Sequence, residues 1–189
     1  ASFDWPTRLL LVSIPEPQIR RFPLSPGFGV DGHLAVSEGR QPIFDRKRRT
    51  YAYELLYRNG TANVSFFRDP DDATRRVLEV AMLEWGFDRV VGDRFGFINA
   101  ANGILHSGIL DILPPDRAVI ELEAGFVIDQ ASIDAIGDAA GRGLRFALSD
   151  VSSVDHPAYD AVAPFVSVVK VDVPSVPQIR MPKLVAEIA

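Results

Sequence analysis

Apolar segments recur at a nearly constant spacing through the second half of the chain. Their centres lie near residues 98, 121, 147 and 169, roughly 22 to 26 residues apart, which suits a repeating βα unit. We predict strands at 95–100, 118–124, 144–151 and 165–173, with helices at 102–110, 130–140 and 157–163 between them. Because these runs are apolar rather than alternating, the strands should be covered on both faces, as in a parallel sheet. The repeat favours a TIM-like (β/α) barrel over a doubly wound sheet, since no glycine-rich phosphate loop follows the first strand.

The first part of the chain has a different character. Residues 1–33 contain five prolines and three glycines, and we predict an extended N-terminal arm or linker there. The folded domain is expected to span residues 34–189. It should begin with strands at 34–45 and 50–57, joined by a solvated basic turn at Arg46–Arg49. A helix capped by Asp69 is predicted at 69–85 and a closing helix at 180–189.

The composition excludes several kinds of site. The 189 residues include no cysteine, so the chain has no disulfide framework, zinc–thiolate site or thiol nucleophile. A formal net charge of −5 gives no global attraction for nucleic acid. The longest early apolar run, Leu9–Val12, is far too short to span a membrane. No basic segment followed by an apolar core and a small-residue cleavage site precedes it, so we expect no signal peptide in this sequence. We therefore expect a cytoplasmic protein that binds neither nucleic acid nor membrane.

Polar residues interrupt the apolar strands of the predicted barrel. They are Glu54, Asn99, Glu121, Glu123, Asp150, Lys170 and Asp172. In a parallel barrel the carboxyl ends of all strands meet on one face, so these side chains are expected to converge there. Carboxylate and amide oxygens suit Mg²⁺ or Mn²⁺ better than zinc, and the chain has only three histidines. A structural ion pair inside the barrel is the alternative for any single residue of this set.

Lys170 and Asp172 stand inside the valine-rich run 165–173. An unpaired charge in a buried strand costs several kcal/mol, which is a large part of the stability of a small domain. We therefore expect anionic partners, a metal site or water around the Lys170 ammonium.

Six short motifs follow one another from about Val36 onward. They are Arg-Gln-Pro-Ile-Phe-Asp, Glu-Leu-Leu-Tyr-Arg, Phe-Ile-Asn, Ile-Glu-Leu, Ala-Leu-Ser-Asp and Val-Lys-Val-Asp. In this order they resemble the EAL domain family, bacterial signal transduction proteins whose active members hydrolyse cyclic di-GMP. The resemblance is closest to the divergent branch often joined to a C-terminal HDOD module. It implies a TIM-like barrel of the EAL type.

The resemblance also implies roles for individual residues. Metal binding would fall to Glu54, Asn99, Glu121 and Asp150. Leu56 would pack on a guanine and Arg58 would hold a phosphate oxygen, a task that suits the forked guanidinium. The catalytic residues would be Lys170, which would orient the attacking water, and Glu54.

Three departures from the family pattern point away from catalysis. Active members carry Asp-Asp-Phe-Gly where this chain has Ser149-Asp150-Val151-Ser152, so a neutral hydroxyl replaces a metal-binding carboxylate. Ala124 stands where the family has the second glutamate of Glu-Leu-Thr-Glu. The next metal-binding glutamate and the Gln-Gly-Tyr signature do not occur before Ala189. The expected barrel is therefore incomplete by about two C-terminal strands. Three explanations are open: the sequence is a piece of a longer chain, the remainder is disordered and not included, or a second copy or a different protein covers the gap.

Three functions are consistent with these residues. The favoured hypothesis is a catalytically degenerate EAL-like domain, with no resident metal, that acts as a cyclic di-GMP-related signalling or protein-interaction module. Its partners would be cyclic di-GMP, regulatory proteins or a second copy of the chain. The first alternative is an active Mg²⁺- or Mn²⁺-dependent cyclic di-GMP phosphodiesterase whose missing strands are supplied elsewhere. The second is an unrelated barrel enzyme acting on a small phosphorylated metabolite.

Overall fold

The computed structural model describes residues 9–12, 36–45, 47–59, 86–100, 102–123, 129–153 and 157–188. The strands are β1 (Leu9–Val12), β2 (Val36–Phe44), β3 (Thr50–Asn59), β4 (Phe95–Ala100), β5 (Ala118–Glu123), β6 (Arg145–Val151) and β7 (Val166–Val171). The α-helices are α1 (Phe87–Val91), α2 (Asn102–Leu105), α3 (Gln130–Gly141), α4 (Pro157–Val162) and α5 (Met181–Ile188). Short 3₁₀ helices span Ile109–Ile112, Ala163–Phe165 and Val173–Ser175.

All seven strands belong to one sheet, in the order β1-β7-β6-β5-β4-β3-β2. β2 and β3 form an antiparallel hairpin, and every other neighbouring pair is parallel. The strands from β3 to β7 follow one another in chain order with helical segments between them, which is a repeated βα arrangement. The fold is α/β, an incomplete TIM-like barrel, and this confirms the fold class predicted from the strand spacing. No helix among the described residues combines the length and apolar character needed to cross a bilayer.

Several local predictions need correction. β7 ends at Val171, so Asp172 lies beyond the strand rather than within it. Helix α1 begins directly after Gly86 and was not predicted from the sequence. Leu9–Val12 forms a strand inside the segment predicted to be an arm or linker. The helix predicted at 69–85 lies outside the described residues.

The predicted basic turn joins β2 to β3 and is organised by Asp45. Its carboxylate accepts the backbone N–H groups of Lys47 and Arg49 at 2.8 and 2.9 Å and forms an ion pair with the Arg49 side chain at 2.7 Å. These hydrogen bonds, above all that of the Arg49 N–H, lower the pKa of Asp45. Lys47, Arg48 and Arg49 are exposed. The cluster is therefore a solvated turn, as predicted, within the residues described.

The apolar core has two parts on the two faces of the sheet. The larger part lies between the sheet and the helices, and includes Phe146 on β6 and Ile136 on α3. The smaller part, which we call the inner apolar layer, consists of Ala52, Phe97, Val119, Ala147 and Val168. Each of these five residues is fully buried and comes from a different strand. Small and large side chains together fill the narrow concave side of the curled sheet.

Candidate functional site

A set of polar side chains stands directly above the inner apolar layer. Two positions after each member of that layer, the sequence places Glu54, Asn99, Glu121, Ser149 and Lys170. Because side chains alternate between the faces of a strand, a step of two residues returns to the same face. We call these five residues the polar layer. Glu54, Asn99, Glu121 and Lys170, which the sequence predicted to converge, therefore face the same side of the sheet.

Lys170 is the centre of the polar layer. Its Nζ donates to Oε2 of Glu54 and to both carboxylate oxygens of Glu121, each at 2.8 Å. Glu121 is 0% exposed and Lys170 is 8% exposed, so the cluster is almost removed from water. The bonds join β7 to β5 and β3, which are not neighbours of β7 in the sheet. Of the three surroundings expected for the Lys170 ammonium, the described residues provide the anionic partners.

The charges of the cluster do not balance. Burial disfavours the Lys170 cation, but the charges of Glu121 and Glu54 outweigh burial and raise the pKa of Lys170. Burial, reinforced by the charge of Glu54, raises the pKa of Glu121 to about 8 despite the opposing effect of Lys170. Two carboxylates thus compete for one ammonium. The ionised cluster is short of one positive charge, which a proton or another cation would supply.

A β-bulge places Ser149 and Asp150 beside Lys170. Leu148 pairs with Val169 and Val151 pairs with Val171, so two residues of β6 oppose Lys170 alone. Asp150 has a φ of 55° and an exposed side chain. This left-handed conformation is one that aspartate tolerates better than most residues. The bulge therefore turns Asp150 out to solvent, while Ser149 keeps its position in the polar layer.

The Ser149 hydroxyl is buried without a partner. The residue is 3% exposed, and its Oγ has no hydrogen-bond partner among the described residues. Such a group costs about 1–3 kcal/mol relative to a satisfied one. It occupies the position where the family resemblance puts a carboxylate. The polar layer thus contains one oxygen atom that is available to a ligand.

Asn99 and Glu123 extend the site along β4 and β5. Asn99 is the register partner of Glu121, and Glu123 is that of Ser149. Partial desolvation, followed by the charge of Asp150, raises the pKa of Glu123. The carboxylates of Glu123, Asp150 and Glu54 therefore repel one another, and the excess negative charge extends beyond the cluster around Lys170.

The arrangement does not fit a divalent cation between the two glutamates. The Lys170 ammonium already lies there, within 2.8 Å of both carboxylates. Within the described ranges, no group of three or more His, Cys, Asp or Glu side chains could hold a metal ion. Metal binding by Glu54, Asn99, Glu121 and Asp150 remains a prediction.

Three predicted residues remain: Leu56 and Arg58 on β3, and Asp172 after β7. Leu56 and Arg58 pair along the backbone with Gly39 and Ser37, and their roles in nucleotide binding stay predictions. The Asp172 N–H donates to the Val151 carbonyl at 3.2 Å, and its carboxylate accepts from the Ser175 hydroxyl. Asp172 therefore secures the turn after β7.

Sequence reasoning missed the strand that covers β7. Leu11 of β1 is the register partner of Lys170, so β1 borders the polar layer on its far side. The available signal was the apolar run Leu9–Val12 itself, which has the composition of a short buried strand.

Comparison with known proteins supports the resemblance seen in the motifs. No family model matches the chain. The uncharacterized protein YuxH of Bacillus subtilis is 28% identical over 142 residues, a match covering 74% of this chain and 35% of YuxH. The cyclic di-GMP phosphodiesterase CdgJ of Vibrio cholerae is 32% identical over 135 residues, covering 71% of this chain and 31% of CdgJ. The chain thus spans about a third of the length of these curated relatives.

Solved structures share the fold. BlrP1 of Klebsiella pneumoniae, in a complex with manganese and cyclic di-GMP, superposes with a TM-score of 0.61 at 19% identity over 92% of this chain and 51% of its own. The EAL domain of DcpA from Mycobacterium smegmatis gives a TM-score of 0.57 at 18% identity over 81% of this chain and 77% of its own. The similarity in sequence to CdgJ and the fold shared with these structures show that this chain is an EAL-like domain.

Proposed function

We propose that this chain is a catalytically degenerate EAL-like domain that serves as a cyclic di-GMP-related signalling or protein-interaction module. The link to cyclic di-GMP comes from the relatives: CdgJ is named a cyclic di-GMP phosphodiesterase and BlrP1 was solved with that nucleotide. The chain covers only part of each, so the activity of a whole relative does not transfer to it directly. Support for binding rather than catalysis therefore has to come from the polar layer of this chain.

The observation that carries the proposal is the position of the Lys170 ammonium between two glutamates. A lysine ammonium has three N–H donors. Its Nζ lies 2.8 Å from Oε2 of Glu54 and from both oxygens of Glu121, and because the two oxygens of one carboxylate are close together, one donor serves each glutamate. Both glutamates are therefore already bonded to a cation, at the place where the family resemblance expects a metal ion. Ser149 supplies a neutral hydroxyl rather than a third acidic ligand.

The proposal includes partners and surroundings. A domain of this kind would keep affinity for cyclic di-GMP through Arg58 and Leu56, or would act through regulatory proteins alone. It would need no resident metal. A cytoplasmic location fits a domain that responds to an intracellular nucleotide.

Turnover and binding of cyclic di-GMP separate the outcomes. The full-length protein is incubated with cyclic di-GMP and Mg²⁺ or Mn²⁺, and the linear dinucleotide is followed by chromatography. We expect no turnover. Calorimetric titration of the nucleotide with heat but no turnover would support a sensor, and titration without heat would support a pure interaction module. Turnover that Glu54→Ala abolishes would overturn the proposal.

The second candidate is an active Mg²⁺- or Mn²⁺-dependent phosphodiesterase. It is favoured by the location of Glu54, Asn99, Glu121 and Lys170 in one layer, as in the family pattern. For this reading, Lys170 would have to leave the glutamates when the cation binds. The same incubation tests it, because an enzyme of this type loses turnover when the metal is removed by a chelator.

A further inference from the structure

We infer that the Lys170 ammonium takes the place of a divalent cation in the polar layer and excludes metal from it. The inference rests on the proposed function, because it gives a physical reason why this domain would hold no metal. It concerns one exchange of cations within this chain, so it can be measured without nucleotide. Removing the ammonium should convert the site from one that rejects metal into one that binds it.

The coordination of the ammonium carries the argument. Three carboxylate oxygens from two glutamates surround one nitrogen at 2.8 Å, in a site that is nearly closed to water. These oxygens belong to different strands, Glu54 on β3 and Glu121 on β5. Mg²⁺ and Mn²⁺ bind to oxygen ligands of this kind in proteins. The metal–oxygen distance in such sites is shorter than the 2.8 Å nitrogen–oxygen distance by less than about 1 Å. The glutamates need little movement to exchange one cation for the other.

The charge balance sets this site apart from an ordinary ion pair. One lysine and one glutamate would neutralise each other, but here two carboxylates face a single ammonium. A divalent cation would neutralise both glutamates. Replacing Lys170 by a neutral residue leaves two carboxyl groups in a buried site without a cation, and because an unpaired buried ion is costly they will take up either protons or a metal ion.

An independent observation points to a ligand at the same place. Ser149 belongs to the polar layer and is only 3% exposed. Its hydroxyl has no hydrogen-bond partner among the described residues. It lies on β6, beside Lys170 on β7 in the sheet. A hydroxyl oxygen at this position can complete an oxygen shell that Glu54 and Glu121 begin.

Mn²⁺ binding to lysine variants tests the inference. Free Mn²⁺ is measured by electron paramagnetic resonance during titration of the wild type and Lys170→Met. We expect at least about tenfold tighter binding by Lys170→Met, or a difference of about 1.4 kcal/mol. Lys170→Arg keeps a cation in the layer and should show no gain. In the double variant Lys170→Met with Glu121→Gln the gain should disappear.

A second variant guards against a folding defect. Lys170→Gln removes the charge but keeps N–H donors for the glutamates, and circular dichroism checks its fold. Its thermal midpoint should rise with Mn²⁺ by several degrees more than that of the wild type. Equal Mn²⁺ affinity in the wild type and both neutral variants would overturn the inference. That failure leaves the proposed signalling function standing, whereas cyclic di-GMP turnover by the wild type would refute the function itself.

Discussion

Replacing Glu121 by glutamine tests the charge balance of the polar layer through stability. Glu121 is fully buried, and its pKa is raised from 4.5 to about 8, chiefly by burial and by the charge of Glu54. Between pH 4.5 and 8 the folded protein therefore holds a proton on this carboxyl that the unfolded chain has released. The folded state binds more protons in this window, so the free energy of unfolding falls as pH rises through it.

The structure sets the size of the effect. The difference between pKa values of 4.5 and 8 corresponds to at most about 5 kcal/mol. Relaxation of the site around the ionised carboxylate reduces this figure. We expect the free energy of unfolding of the wild type to fall by about 2–3 kcal/mol more than that of the variant between pH 5 and pH 9. Glutamine keeps the shape of the side chain and a carbonyl oxygen for Lys170, and it leaves one cation facing one anion.

Urea unfolding at pH 5, 7 and 9 measures the free energy of unfolding of both proteins. Titrations elsewhere in the chain cancel in the difference between them. Glu187→Gln is a matched control, because Glu187 is exposed on α5 and pairs only at the surface with Lys183 at 3.3 Å. The free energy of unfolding of Glu121→Gln relative to that of the wild type should rise with pH, while the control stays parallel to the wild type. A difference between Glu121→Gln and the wild type that is constant from pH 5 to 9 would refute the reasoning.

Three further changes test other parts of the structure. In the Lys170→Met background, Ser149→Asp should raise Mn²⁺ affinity in calorimetry by about tenfold, through a third carboxylate in the layer, and unchanged affinity would mean that the layer cannot assemble a cation site. Gly96→Ala would place a Cβ 2.6 Å from the buried Phe87 ring, so urea unfolding should show a loss of about 1–3 kcal/mol; an unchanged midpoint would show that the ring moves freely. Deleting residues 9–12 should expose the edge of β7, and light scattering should then show concentration-dependent self-association; a variant that stays monomeric would show that β1 does not protect this edge.

Periodicity predicted the elements that build the barrel. The strand at 95–100 has the bounds predicted from the sequence, and the helix predicted at 130–140 extends one residue further to Gly141. Asp129 caps that helix by accepting the Ser132 N–H at 2.8 Å. Strong apolar runs and capping residues act locally, so a short stretch of sequence contains the whole signal.

The missed features depend on partners distant in sequence. β1 is a strand because β7, more than 150 residues away, offers it a row of backbone groups. The bulge at Ser149 and Asp150 appears only when β6 is aligned with β7, since one strand alone does not show which residue is extra. For the same reason the motifs could bring Lys170 to the polar layer but could not determine that its ammonium contacts both Glu54 and Glu121.

The contacts of Lys170 with Glu54 and Glu121 limit what the sequence motifs can indicate about catalytic activity. Substituting any one of Glu54, Glu121 and Lys170 alone would disturb a buried charge cluster, and breaking a buried pair costs about 3–5 kcal/mol. Stability by itself therefore opposes the loss of these residues, whether or not the domain catalyses a reaction. Ser149 and the exposed Asp150 are under no such constraint from the cluster, because neither bonds to Lys170 within the described residues. The departure at Ser149 consequently says more about catalysis than the three matching residues do together.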